Sequence, residues 1–153
     1  MFDIDGKVSV LFVCQGNIIR SPLCEGRLRH EFGDRVRVDS AAVSSGDLNK
    51  HPEENAQKIA KEHGFDISGH ISRLIKKEDF SNFSVIVSLD DFVHTKILNI
   101  KPKGCRAKVV KFSKNGISNP WRQPLAAFKS MYREIDREWI PFIQKCFPKL
   151  LGN

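Results

Sequence analysis

Four short apolar segments, separated by helical patterns, restrict the fold of this chain more than any other feature of its sequence. They are KVSVLFV (7–13), RVRVDSA (35–41), SVIVSL (84–89) and AKVVKF (107–112), and each has the composition or the alternation of a β-strand. Helical patterns with proline or acidic residues near their starts lie between and after these segments. This alternation predicts an α/β fold with a parallel sheet and helices on both faces.

The first and last helices have recognisable ends. We expect the first helix to be capped by Ser21, to begin at Pro22 and to end at about Phe32, because Ser and Pro favour the cap and the first helical position. The last helix is expected to begin near Pro124. It should be disturbed at Pro141, since an internal proline removes a backbone donor.

Length and charge limit the classes of protein that the chain can belong to. Its 153 residues suffice for one domain with a buried core, so residues 1–153 are interpreted as a single domain. MFDIDGKVSV at the N-terminus lacks the regions of a signal peptide, and no apolar run approaches the roughly 18 residues of a membrane span. We therefore expect a cytoplasmic protein with no membrane partner. The net charge of +7 is spread along the chain, which favours a solvated lysine surface that can attract anions over a nucleic-acid partner.

The cysteines do not form a metal or disulfide pattern. The chain has four cysteines, with no C-x-x-C pair and no zinc-finger spacing with histidine, so no metal site is expected. Cys24, Cys105 and Cys146 are interpreted as structural thiols.

Cys14 is different because of the sequence that follows it. VLFVCQGNIIRSP places Cys14 at the end of an apolar strand, with Arg20 six positions later at the start of a helix. A short loop entering a helix can direct several backbone N–H groups at a phosphate, with Gly16 allowing the curvature. Arg20 offers a planar fork of donors for two phosphate oxygens, and the same positive dipoles favour a nucleophilic thiolate. A buried structural cysteine beside a surface arginine is the alternative interpretation.

This loop and four further stretches resemble the low-molecular-weight protein tyrosine phosphatases. The further stretches are VDSAAVSSG, HGFDISGHISRLI, DFSNFSVIVSLD and CRAKVVKF, and they follow that family's order from about Lys7 to the last helix. The resemblance implies a four-stranded parallel sheet flanked by helices, with the phosphate-binding loop after the first strand. It also implies hydrolysis of phosphotyrosine through a phosphocysteine intermediate, without a metal or other cofactor.

The resemblance also implies roles for individual residues. Cys14 would be the nucleophile, Arg20 would bind the phosphoryl oxygens, and Ser21 would donate a hydrogen bond to the thiolate. Asn17, Ser40 and His70 would brace the loop, although Ser40 could equally end a strand and His70 could be an ordinary structural histidine. The phosphate would be held by Gln15, Gly16, Asn17, Ile18, Ile19, Arg20 and Ser21.

Two departures from the family pattern change secondary features of the site. Ile19 occupies the position where the family usually carries a second cysteine, so an oxidised Cys14 could not be trapped there as a disulfide. The aromatic pocket wall is reduced to Trp121, followed by Arg122. Trp121 could stack on a phenyl ring or could pack partly into the core.

A third departure bears on the chemistry. The family has an aspartate before the proline of this segment, as the general acid for the leaving phenolate, and here the sequence is NPWR with Asn119 in that position. An amide can donate a hydrogen bond to the leaving oxygen but cannot protonate it, and loss of general acid catalysis typically costs about 10²–10⁴-fold.

Two hypotheses follow for the function. The first is a cysteine-dependent phosphatase that acts on a phosphotyrosine protein or a small aryl phosphate, is slowed by Asn119, and is inhibited competitively by inorganic phosphate. The second is a pseudophosphatase that binds phosphotyrosine or phosphate with little turnover. An arsenate reductase of the same fold ranks below both, because no cysteine lies between Cys24 and Cys105 to act in resolution.

Overall fold

The computed structural model describes residues 6–152. The first five residues of MFDIDGKVSV, the segment that lacks the regions of a signal peptide, lie outside the described residues. Four strands form the sheet: β1 (Val8–Cys14), β2 (Val36–Ala42), β3 (Val85–Ser88) and β4 (Lys108–Lys111). The helices are α1 (Arg20–Phe32), α2 (Glu54–Glu62), α3 (Asp79–Asn82), α4 (Asp91–Ile100) and α5 (Leu125–Cys146), and short 3₁₀ turns span Gly33–Arg35 and Pro148–Leu151.

The sheet is parallel throughout, with strand order β2-β1-β3-β4. All seven residues of β1 are buried, as expected of a central strand covered on both faces. Because β1 lies between β2 and β3, the chain turns to opposite sides of it after β1 and after β2. Such a reversal of strand order leaves a crevice at the carboxyl ends of the strands, and Cys14 lies there.

Alternate residues of β1 belong to two separate cores. Val10 and Phe12 pack into a cluster with α1, α2 and α5, whereas Leu11 and Val13 pack into a second cluster with α3 and α4. The period of two along a strand explains this division. The prediction of an α/β fold with a four-stranded parallel sheet and helices on both faces is therefore confirmed.

The expected strands agree with the observed ones to within one residue at each end, but two helix predictions are wrong. The first helix begins at Arg20 with Ile19 as its cap residue, so Ser21 lies inside the helix and does not cap it. The last helix continues through Pro141 to Cys146. Trp139, Phe142 and Ile143 are almost completely buried on either side of that proline, and their packing holds this stretch of helix in place.

The helices of the described chain pack against the two faces of the sheet. Within residues 6–152, none is both long enough and apolar enough to cross a lipid bilayer.

Candidate active site

The loop between β1 and α1 is held by backbone hydrogen bonds to two other segments. The N–H groups of Val43 and Ser44 donate to the carbonyl oxygens of Cys14 and Gln15, at 3.1 and 3.0 Å. On the other side of the loop, the N–H of Glu53 donates to the carbonyl oxygen of Ile18 at 2.9 Å. The loop is therefore fixed by the chain after β2 and by the start of α2.

The Cys14 thiol lies at the end of β1 and contacts two donor groups. Its Sγ is 2.9 Å from Ser21 Oγ, and the backbone N–H of Asn17 donates to it at 3.3 Å. Asn17 Nδ2 donates to Ser21 Oγ at 2.8 Å, so the hydroxyl hydrogen of Ser21 is available for the sulfur. Hydrogen bonds of this kind stabilise a thiolate relative to a thiol.

Asn17 supplies the curvature that the sequence argument assigned to Gly16. Asn17 has φ = 60°, in the left-handed region that asparagine tolerates better than most residues, whereas Gly16 does not have a positive φ. Glycine is needed at 16 for a different reason, because a Cβ there would lie 3.1 Å from Asp47 Oδ2. The expectation that Gly16 curves the loop is thus wrong, although a glycine at this position does have a steric explanation.

Asn17 is also the centre of a buried polar network beneath the loop. Its Nδ2 donates to Ser40 Oγ at 2.9 Å, and Ser40 Oγ donates to Glu25 Oε1 at 2.6 Å. Its Oδ1 accepts from the backbone N–H of Arg73 at 3.1 Å. His70 Nε2 lies 3.0 Å from Asn17 Oδ1 and 3.3 Å from its carbonyl oxygen, and because both are acceptors this nitrogen carries the hydrogen.

Arg20 is 1% exposed and its guanidinium group is fixed by two acceptors. Arg20 Nη1 donates to Asp90 Oδ2 and to the carbonyl oxygen of Ile117, both at 2.7 Å. Asp90 caps α4 by accepting from the N–H of Val93, so it has a fixed position of its own. The remaining donors of Arg20 are thereby held in one orientation beside the loop, which reduces the ordering cost of binding an oxyanion.

A cavity of about 450 Å³ opens over this loop. Its floor is the Cys14–Arg20 loop. One side is formed by the segment after β2 and the other by the segment before α5. The residues on these sides are Ser44, Gly46, Asp47, Lys50, Asn119, Trp121 and Arg122.

The segment before α5 forms a tight turn at the mouth of the cavity. Asn119 Oδ1 accepts from the N–H of Trp121 at 3.2 Å, and the N–H of Gln123 donates to the carbonyl oxygen of Pro120 at 2.9 Å. Asn119 lines the cavity, and because its Oδ1 already accepts a hydrogen bond, its Nδ2 is the group that can donate to a ligand. Trp121 is 46% exposed, so packing into the core does not account for it. One face of its ring is covered by the guanidinium group of Arg122, whose Cζ is 4.2 Å from the ring centre.

The other cysteines lie in different environments. All four are free thiols. Burial raises the pKa of Cys24 and of Cys146, which keeps both thiols protonated. Cys105 is half-buried, on the chain before β4. Among residues 6–152 there is no cluster of three or more His, Cys, Asp or Glu side chains suited to a metal ion.

The structure brings together all the residues that the sequence singled out. Residues 14–20, Asn119 and Trp121 line the cavity, while Ser21, Ser40 and His70 lie behind the loop. Sequence reasoning missed Asp47 and Lys50 at the cavity, Asp90 as the partner of Arg20, and Glu25 and Arg73 in the network beneath the loop. All of them except Glu25 lie far from Cys14 in the sequence, and only the position of Asp90 just after an apolar strand could have indicated one of these distant residues.

The fold and the cavity define an α/β protein that presents a cysteine and an arginine on one strand–loop–helix anion-binding motif. The model of the family described as low molecular weight phosphotyrosine protein phosphatase matches residues 9–148. The chain therefore belongs to the low-molecular-weight protein tyrosine phosphatase family, whose members are cysteine-dependent hydrolases.

Individual relatives agree with this assignment. The mouse low molecular weight phosphotyrosine protein phosphatase is 33% identical over 156 residues, covering 93% of this chain and 98% of the mouse protein. The human protein of the same description is 34% identical, covering 90% of this chain and 94% of the human one.

Solved structures show the same architecture. Primo-1 is similar with a TM-score of 0.83 and 26% identity, covering 91% of this chain and 98% of Primo-1. Vibrio vulnificus Wzb, solved in complex with benzylphosphonate, has a TM-score of 0.82 and 26% identity, covering 92% of this chain and 99% of Wzb.

Proposed function

We propose that this chain hydrolyses aryl phosphates through a phosphocysteine formed on Cys14, and that Asn119 makes it slow on phosphotyrosine itself. The observation that carries the proposal is the cavity floor, where a thiol with two hydrogen-bond partners and a fixed guanidinium group line the same space. Phosphotyrosine proteins or small aryl phosphates are the substrates, and inorganic phosphate or a similar oxyanion is a competitive ligand.

In the first step, the Cys14 thiolate attacks phosphorus. An S–P bond forms, the P–O bond to the aryl group breaks, and the aryl oxide leaves. Arg20 and the loop N–H groups bind the non-bridging phosphoryl oxygens, whose charge they stabilise in the transition state. Gln15, Gly16, Ile18 and Ile19 contribute only backbone N–H groups here, and their side chains do not take part in the reaction.

Asn119 determines how the aryl oxide leaves. A tyrosine oxide has a conjugate acid with a pKa near 10, so its departure at neutral pH benefits greatly from protonation. Asn119 Nδ2 can donate a hydrogen bond to the oxygen, but the proton must come from solvent. An acidic phenol leaves as a stable anion and is affected much less.

In the second step, water attacks the phosphocysteine, releasing inorganic phosphate and the thiolate. Ser21 and the N–H of Asn17 stabilise the departing sulfur because both already contact it. The amide of Asn119 cannot activate this water by accepting its proton, so the intermediate should persist longer than in a relative that has an aspartate there.

Asn119 also supports the second candidate function. A chain that forms or releases the phosphocysteine very slowly would act mainly as a phosphotyrosine-binding module. A steady-state assay with an acidic aryl phosphate, with Cys14→Ser as the control, distinguishes the two. We expect measurable release of the phenol by the native chain and none by Cys14→Ser. Phosphate binding without turnover would instead support the binding module, and equal activity of both proteins would exclude Cys14 as the nucleophile.

A further inference from the structure

We infer that Arg122 selects substrates that carry an acidic residue next to the phosphotyrosine. The inference rests on the proposed function, since it concerns the part of a substrate that extends out of the same cavity. Arg122 has no assigned role in the phosphate-binding loop. Its position, backbone conformation and charge environment together indicate recognition of a carboxylate at the cavity mouth.

Arg122 occupies a turn position that ordinarily favours glycine. The N–H of Gln123 donates to the carbonyl oxygen of Pro120, which makes Arg122 the third residue of a four-residue turn. Arg122 has φ = 62°, the positive value that type II turns require at this position. A residue with a side chain is strained in this region, and such strain is concentrated at functional sites.

Stacking on Trp121 fixes where the charge of Arg122 lies. The Arg122 Cζ is 4.2 Å from the centre of the Trp121 ring, and both residues line the cavity. A guanidinium group held against an indole face is ordered while its edge donors stay available for a second partner. The turn and the stacking together place a cation at the mouth of the cavity.

The other cations of the cavity already have acidic partners. Arg20 Nη1 is 2.7 Å from Asp90, and Lys50 Nζ is 3.0 Å from Asp47. Within the described residues, Arg122 is the one cation lining the cavity that has no ion pair with a carboxylate. A carboxylate on a bound peptide would therefore meet a charge that is not already neutralised.

The experiment compares two peptides that differ only in the charge next to the phosphotyrosine. Each carries a non-hydrolysable phosphonomethyl analogue of phosphotyrosine, flanked by glutamates in one peptide and by glutamines in the other. Affinity is measured by calorimetry on the native chain and on Arg122→Gln. Benzylphosphonate, which has no flanking residues, reports on the cavity floor alone.

The native chain is expected to bind the glutamate peptide about two- to fivefold more tightly, the usual size of a partly exposed ion pair. In Arg122→Gln this ratio should fall towards one, and benzylphosphonate should lose less affinity than the glutamate peptide does. Arg133→Gln is the matched control. Arg133 is exposed on α5 and does not line the cavity, so this variant removes the same charge from the molecule but should keep the native ratio.

Four results would overturn the inference. The ratio could be one in the native chain, it could be unchanged in Arg122→Gln, it could fall equally in Arg133→Gln, or benzylphosphonate could lose as much affinity as the glutamate peptide. Each of these leaves the proposed function intact. If the native chain binds none of the three phosphonates, the proposed function fails and the inference fails with it.

Discussion

Cys14 differs from the other three cysteines in the groups that contact its sulfur. It contacts the Ser21 hydroxyl and the Asn17 N–H at the floor of the cavity, whereas burial raises the pKa of Cys24 and Cys146. We therefore expect iodoacetate to alkylate Cys14 first near neutral pH, and inorganic phosphate to slow that reaction. Peptide mapping after brief labelling measures this. Labelling of Cys105 at an equal rate, with no protection by phosphate, would contradict the site.

Arg20 is expected to require its guanidinium group and not merely its charge. Arg20→Lys removes the planar fork, so a single nitrogen would have to bond Asp90, Ile117 and the phosphate, and no bidentate hydrogen bond to the phosphate is possible. Phosphate affinity should fall by about tenfold or more, in line with the loss of a charge-assisted hydrogen bond. Calorimetry measures the affinity, and Arg133→Lys on the surface of α5 should leave it unchanged. Native affinity in Arg20→Lys would show that Arg20 does not bind the anion.

Among the secondary-structure elements around the loop, Asn17 forms hydrogen bonds that connect the first helix, the second strand and the segment containing His70. Two asparagines with the same backbone angle, one buried and one exposed, allow a matched test of this network. Asn17 and Asn49 both have φ = 60°. Asn17 is fully buried and bonded to Ser21 and Ser40, whereas Asn49 is exposed.

Asn17→Ala and Asn49→Ala should therefore share the cost of a positive φ but differ in lost hydrogen bonds. Asn17→Ala strands several buried partners, so it should lower the free energy of unfolding by about 2–4 kcal/mol more than Asn49→Ala does. It should also reduce phosphate affinity. Urea unfolding of both variants measures the difference. Equal destabilisation would mean that the network beneath the loop contributes little.

Local patterns made most of the elements and the core of the site predictable. Residues 14–21 are contiguous, so the order strand, thiol, loop and helix could be interpreted from sequence alone. The prediction that Ser21 caps the first helix was wrong, because the helix begins at Arg20, two residues before the expected start at Pro22. The Ser21 hydroxyl contacts Cys14 instead. The positive φ fell on Asn17 and not on Gly16, which sequence composition does not reveal.

Contacts between distant residues could not be predicted in this way. Asp90 meets Arg20 across 70 positions, and Glu25, Ser40 and Asn17 meet because β1, β2 and α1 pack side by side. No spacing in the sequence indicates that these side chains are in contact. Local patterns do not give the order of the strands, and that order determines which side chains surround the cavity.

At the scale of the whole molecule, α5 closes the larger core over the sheet. Trp139 is fully buried, with Phe12, Phe112 and Phe142 ring centres 6.2–6.3 Å away. The chain has two tryptophans, and Trp121 is the exposed one.

Trp139→Ala should lower the free energy of unfolding by about 3–5 kcal/mol, the typical cost of deleting a large buried side chain. Trp121→Ala should change it by about 0.5 kcal/mol or less, since surface substitutions rarely do more. Denaturant unfolding followed by circular dichroism measures both without relying on tryptophan fluorescence. A small effect of Trp139→Ala would contradict the packing of α5 described above.

Asn119 bears on the proposed chemistry of the whole molecule, in which Cys14 remains a competent nucleophile while proton donation to the leaving group is missing. Asn119 Oδ1 accepts from the Trp121 N–H, and an aspartate could make the same hydrogen bond with one oxygen while the other carries a proton. Asn119→Asp is thus expected to keep the turn and to restore the general acid.

The decisive measurement is kcat/KM for phosphotyrosine and for an acidic aryl phosphate, on the native chain and on Asn119→Asp, across pH. We expect a gain on phosphotyrosine of up to about 10²-fold and a much smaller gain on the acidic aryl phosphate, because only the poor leaving group needs the proton. A native chain that is already fast on phosphotyrosine and gains nothing from Asn119→Asp would contradict this expectation, since another group would then supply the proton.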